Sequence, residues 1–178
     1  MKNLCMVLPL ALILCFMIGC QDKEAMAELE AMKAQAEVEQ QNEEIVRRYF
    51  ELMAERNPAY MELSSEDYIV HFPGGFDVKG RESLKNFQDS YFDAFPNLTY
   101  FFSDFVAEDD KVAIRYGETG THQGVFNGIQ PTGNEIKGTA IGVFRLKESK
   151  IVESWIEGDF LGLYQQLGME LKPKIGEK

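Results

Sequence analysis

No cysteine occurs after Cys20: all three, Cys5, Cys15 and Cys20, fall within the first twenty residues. The body of the chain therefore lacks a thiol nucleophile, an internal disulfide and a Cys-based metal site. Histidine is scarce as well. His71 and His122 are the only two, and two imidazoles without a spaced carboxylate cluster argue against zinc, so no metal site is expected. Basic residues are outnumbered, with 18 Lys and Arg against 29 Asp and Glu and a formal charge of −11. No Lys/Arg cluster breaks that surface, so phosphates would meet like charge, and nucleic acid is excluded as a partner. Only one long apolar run is present, near the N-terminus, and tryptophan appears once, as Trp155.

The apolar run extends from Leu4 to Ile18 behind Lys2 and ends at Gly19-Cys20, after which the sequence turns abruptly polar. A short basic start, an apolar middle and a small residue before the cut form the layout of a secretory signal, and the run is short for a span of about 20 residues. Met17-Ile18-Gly19-Cys20 resembles a bacterial lipobox. That resemblance implies a signal peptide over 1–19, acylation at Cys20 and a lipid-anchored protein of the cell envelope that meets the membrane through Cys20. Several acyl chains would anchor it stably, whereas one would not.

From Asp22 to Asn42 the chain is built of Ala, Glu, Gln, Lys and Met without Gly or Pro. These are strong helix formers, and about 21 residues give a helical stalk of roughly 31 Å. Met26, Leu29 and Met32 make only a thin stripe, which fits a solvated spacer or a dimeric coiled coil. Beyond Asn42 the apolar face broadens to Ile45, Val46, Tyr49, Phe50 and Met53, which marks the start of a globular domain over 43–170. The spacing predicts a short helix over Pro58 to Leu63, a strand over Tyr68 to Phe72, a helix over Arg81 to Ala94 and a strand from Thr99 to Val106. Three further strands follow between Val106 and Asp159, the last running into a short helix. Residues 171–178 read as a frayed tail. Helices first and then a strand meander argue α+β: a curved antiparallel sheet wrapped against helices as a cone with a pocket, preceded by an N-terminal helix.

Two runs carry a resemblance: Gly120-Thr121-His122 through Gly124, Phe126, Gly128-Ile129 and Pro131-Thr132-Gly133, and Lys150-Ile151 through Glu153, Trp155, Asp159, Gly162-Leu163 and Gln166-Leu167-Gly168. With His71, Pro73, Gly80-Arg81 and Phe95-Pro96 upstream, they resemble the SnoaL-like polyketide cyclases, or ester cyclases, which have the nuclear transport factor 2-like fold. The resemblance covers roughly 43–168. It implies a cone-shaped cavity, an Asp at the position of Asp159 acting as general acid/base, His122 as a pocket residue, and chemistry without metal or organic cofactor on a small apolar ligand. Cones of this fold often pair through their sheets, which makes a homodimer an expected arrangement. Many relatives carry an acid directly after the first His, where Phe72 stands here.

Strand alternation places Ile151, Glu153, Trp155, Glu157 and Asp159 on one face, as a pocket with a few polar groups would need. A carboxyl group in an apolar cavity has its charged form disfavoured, so its pKa rises towards working pH. Asp159 also precedes Phe160-Leu161-Gly162-Leu163, where it could cap a helix. His122 could polarise a carbonyl or bond to backbone. The substrate-binding candidates are Trp155, Glu153, His71, Arg115 and Phe126, with a structural role also open for His71. Arg115 and His122 have opposite parity, so both reach the cavity only if Gly117 or Gly120 marks a bulge. Otherwise Arg115 pairs with a carboxylate such as Glu153.

Overall fold

The computed structural model describes residues 4–172, with side chains from residue 23 onward. The signal peptide cleavage site, acylation of Cys20 and the tail beyond 172 lie outside the residues so described. The chain divides into two units between Val38 and Glu39. The first is the leading part of α1 (Leu4–Ala54). Among the described residues no helix is long and apolar enough to cross a membrane.

The second unit begins within α1, where Val46, Tyr49, Phe50 and Met53 are buried. Asn57 then caps a 3-10 turn over Pro58–Leu63, its side chain accepting from Ala59 N–H at 3.1 Å. The order continues with β1 (Ser64–Phe72), a turn at Pro73–Gly75, β2 (Phe76–Lys79), α2 (Arg81–Ala94), β3 (Thr99–Glu108), β4 (Lys111–Thr121), β5 (Glu135–Lys147), β6 (Lys150–Gly158) and α3 (Phe160–Gln166). Gly74 and Gly75 both adopt positive φ, 79° and 77°, which turns the chain back so that β2 pairs with β1.

The expected α+β architecture is present, with one correction to the sheet. Its strand order is β2-β1-β6-β5-β4-β3, and β1 runs parallel to β6 while every other pair is antiparallel, so the sheet is mixed. α2 and four strands separate β1 from β6 in the chain, a connection long enough for the two to pair in parallel. The core forms where α1 lies on one sheet face. The Phe50 ring meets Phe102, Tyr116 and Phe144 at centroid distances of 5.4, 5.2 and 5.3 Å. Leu84 and Phe92 of α2 and Leu163 of α3 add to the same cluster.

Two ladders decide which side chains face the helices. β4 and β5 pair without a register shift from Lys111↔Arg145 to Thr121↔Glu135, so Val112, Ile114, Tyr116 and Glu118 share one face. β5 and β6 slip between Arg145 and Leu146. That slip turns both Ile151 and Ser154 inward, each fully buried, although they are an odd number of residues apart.

Candidate functional site

Between the sheet's inner face and α1, α2 and α3 lies a cavity of about 380 Å³. Its wall is mainly aromatic and aliphatic, with Phe50, Val70, Phe72, Phe87, Phe126 and Ile156 among its residues. The polar groups are few: Glu118, Asp159, Ser154, Thr139, Gln88, Asn127 and several tyrosines. Among the described residues the wall contains no Lys, Arg or His.

Glu118 reaches the cavity because the uninterrupted β4 ladder keeps it in phase with Tyr116. The Tyr91 hydroxyl, from α2, donates to Glu118 Oε1. Burial raises the Glu118 carboxyl above its ordinary range, and the Tyr91 hydrogen bond offsets part of that rise. Burial first, and then the neighbouring Glu118 charge, push Tyr91 far up, so it stays a neutral hydroxyl. Nearby, Gln88 Nε2 donates to Tyr100 Oη at 3.3 Å. Deeper in the fold Tyr68 Oη and Ser154 Oγ form a fully buried pair at 2.8 Å.

Asp159 directly follows β6 and lines the same cavity. It is exposed, and its Oδ1 accepts from Gly162 N–H at 2.8 Å, capping α3. The wall position and the cap, the two roles open for this residue from sequence, are occupied together.

Phe126 is on the cavity wall, carried by the loop between β4 and β5. His122 anchors that loop rather than facing the cavity. Its Nδ1 accepts from Thr132 N–H at 3.2 Å and lies 3.1 Å from Thr132 Oγ1, which makes Nε2 the protonated nitrogen. The ring is fully buried against Phe95, at a centroid distance of 5.4 Å, and Nε2 has no partner among the described residues.

His71, Glu153 and Trp155 form a different assembly, on the sheet's outer face. His71 Nδ1 lies 2.8 Å from Asp77 Oδ1 and Nε2 lies 3.0 Å from Glu153 Oε1. Arg145 Nη1 donates to Glu153 Oε2 at 2.6 Å, and its guanidinium sits 5.0 Å from the Trp155 ring centre. The Trp155 ring in turn stacks on His71 at 5.6 Å. The Asp77 hydrogen bond, then that to Glu153, raises the His71 pKa. The expected sharing of one face by Glu153, Trp155 and Asp159 is corrected by the register slip beside Arg145, which gives the inner face to Ser154 and Ile156 instead. Arg115 is corrected too, for the opposite reason. With no bulge in β4 it points outward, 4.0 Å from Asp104, and Arg145 takes the Glu153 carboxylate.

Glu118 and Tyr91 were not among the site residues expected from sequence. Parity held the clue for Glu118, an acid in phase with Val112, Ile114 and Tyr116.

This chain belongs to the SnoaL-like polyketide cyclase family, which matches residues 43–167. The fold is that of a SnoaL-like protein from Jannaschia sp. CCS1, with a TM-score of 0.70 and 23% identity over 75% of this chain and 95% of that one. IdmH from Streptomyces antibioticus, grouped with the polyketide cyclases, is 27% identical over 72% of this chain and 99% of its own, with a TM-score of 0.63. A protein of the same grouping from Acidithiobacillus ferrooxidans is 26% identical, covering 72% and 94%, with a TM-score of 0.62. No curated protein matches in sequence.

Proposed function

We propose that the cavity takes a small apolar carbonyl or ester compound and that Asp159 moves a proton on it as general acid/base. In an intramolecular aldol-type closure, Asp159 removes a proton α to one carbonyl and the resulting enolate attacks a second carbonyl. The new alkoxide then recovers the proton from Asp159. The proton count closes, so the step needs no added donor or acceptor. The observation that carries this reading is the position of Asp159 on the wall of a mainly apolar cavity, at the junction of β6 and α3. Family membership supports it.

Asp159→Asn tests it cleanly, since Asn caps a helix about as well as Asp. With aromatic 1,5-diketones as probes and ring closure followed by absorbance, the variant should lose about 10²–10⁴-fold in turnover. Its melting temperature and diketone binding should be retained. Unchanged turnover would remove Asp159 from the mechanism.

A second reading, carriage of an apolar ligand without reaction, is favoured by the exposure of Asp159, its use as a cap and the separation of His122 from the cavity. A ligand that co-purifies unchanged and is held equally by Asp159→Asn would select it. In both readings the lipobox-like end of the N-terminal run places the protein at a membrane through acylated Cys20. Cys20→Ser should then move it from the membrane fraction to the soluble one.

A further inference from the structure

Glu118 stands where a strand facing an apolar cavity ordinarily carries another apolar side chain. Its neighbours across the two ladders are Tyr100 and Gly138. Among the described residues Tyr91 is its one side-chain partner, bonded at Oε1. A carboxyl group with a single partner keeps binding capacity at its second oxygen, which accepts when ionised and donates when protonated. Gly138 leaves the flank of the carboxyl open. A Cβ there would stand 3.7 Å from both Glu118 Cγ and Oε1, so a longer side chain at 138 would cover the acid.

We propose that Glu118 and Tyr91 form a recognition site for an uncharged oxygen, a hydroxyl or a ketone, on a ring-bearing apolar ligand, and that the same wall rejects anions. This rests on the cavity being the ligand site, and it holds whether or not Asp159 does chemistry there. A carboxylate, sulfate or phosphate would leave water for a wall with two acids and no basic side chain, losing hydration with no counter-charge in return. An ammonium group would find a carboxylate, but both charges would have to be desolvated together. The wall already resists charge, since it holds the Glu118 carboxyl above its usual range. A hydroxyl or ketone needs only a hydrogen bond, and the protonatable oxygen of Glu118 can serve either kind of partner. The edges of the surrounding rings at Tyr100 and Tyr116 supply the apolar grip.

Four probes of one shape separate the alternatives: naphthalene, 2-naphthol, 2-naphthoate and 2-naphthylmethylammonium, titrated at pH 7 by calorimetry. The wild-type protein should bind 2-naphthol about tenfold more tightly than naphthalene, the order expected of one hydrogen bond in a desolvated site. Both charged probes should bind more weakly than 2-naphthol. Glu118→Gln should keep that ranking. Glu118→Leu should bring 2-naphthol to within about twofold of naphthalene, while an unchanged naphthalene affinity shows that the cavity is intact. Tyr91→Phe, which keeps the ring and removes only the hydroxyl, should reduce the preference by about threefold.

Equal or tighter binding of either charged probe, a preference that survives in Glu118→Leu, or no binding by any probe would each overturn the proposal. Asp159→Asn in the same titration should bind 2-naphthol as the wild type does. A failed turnover experiment therefore leaves this site standing, and a failed Glu118 experiment leaves the Asp159 chemistry standing.

Discussion

On its inner face the sheet carries Glu118, Tyr68 and Ser154, hydrogen-bonded through hydroxyl groups, two of them fully buried. On its outer face it carries His71, Asp77, Glu153 and Arg145, bonded through charges that water partly screens. Two strands contribute to both groups: β1 supplies Tyr68 and His71, and β6 supplies Ser154 and its neighbour Glu153. What differs is the environment. Where the helices cover the sheet, a charge has no water to fall back on, so the polar groups that survive are neutral or inclined to become so. The outer face tolerates three charged side chains beside the His71 imidazole because opposite charges adjoin one another and solvent is at hand.

The strongest way to break this contrast is to open the covered side. Phe144 is 2% exposed and its ring lies 5.3 Å from Phe50. Phe144→Ala should destabilise the protein by about 3–5 kcal/mol in urea unfolding, whereas a truncation at outward-facing Ile141 should cost well under 1 kcal/mol. A smaller effect is expected at the buried pair. Ser154→Ala leaves the Tyr68 hydroxyl buried without that partner and should cost about 1–3 kcal/mol.

The acid–base behaviour of the two faces sharpens the comparison further. Glu118 has a folded pKa raised by burial, so its contribution to stability is full below the ordinary Glu value and is lost as pH rises through the raised value. Glu118→Gln should therefore flatten the decline in melting temperature on the alkaline side of that range. His71 also has a raised folded pKa, so its contribution is present below its ordinary value and lost as pH rises through the raised one. Asp77 has a lowered pKa, and its contribution is present above the ordinary Asp value and lost as pH falls through the lowered one. The outer network is thus at full strength from roughly pH 4 to 6.5, and His71→Gln should remove that window while leaving ligand binding unaltered. This is the smallest effect of the set.

Much of the architecture was readable from residue pattern alone. The helix at Arg81–Ala94, the turn at Pro58–Leu63 and the apolar face from Val46 to Met53 lie where periodicity and proline put them. β2 was not legible, because four residues behind Pro73-Gly74-Gly75 are too few to show alternation. Nor was the parallel pairing of β1 with β6, since nothing in the sequence of either strand records its partner. The site suffered from one physical event. Counting by twos from Ile151 assigns Glu153 and Trp155 to the inner face, and the slip beside Arg145 reverses that assignment for the rest of β6. The same counting in β4, whose ladder to β5 has no slip, would have pointed to Glu118.

The most direct test is a titration of 2-naphthol into isotopically labelled protein, with backbone amides and the single indole observed together by NMR. Trp155 is the only tryptophan and lies on the outer face, so its indole N–H is a built-in reference. The account predicts shifts at the amides of Glu118, Gly138 and Phe126 while the indole signal stays in place. An indole that moves while those amides do not would put the ligand on the other side of the sheet and contradict the account.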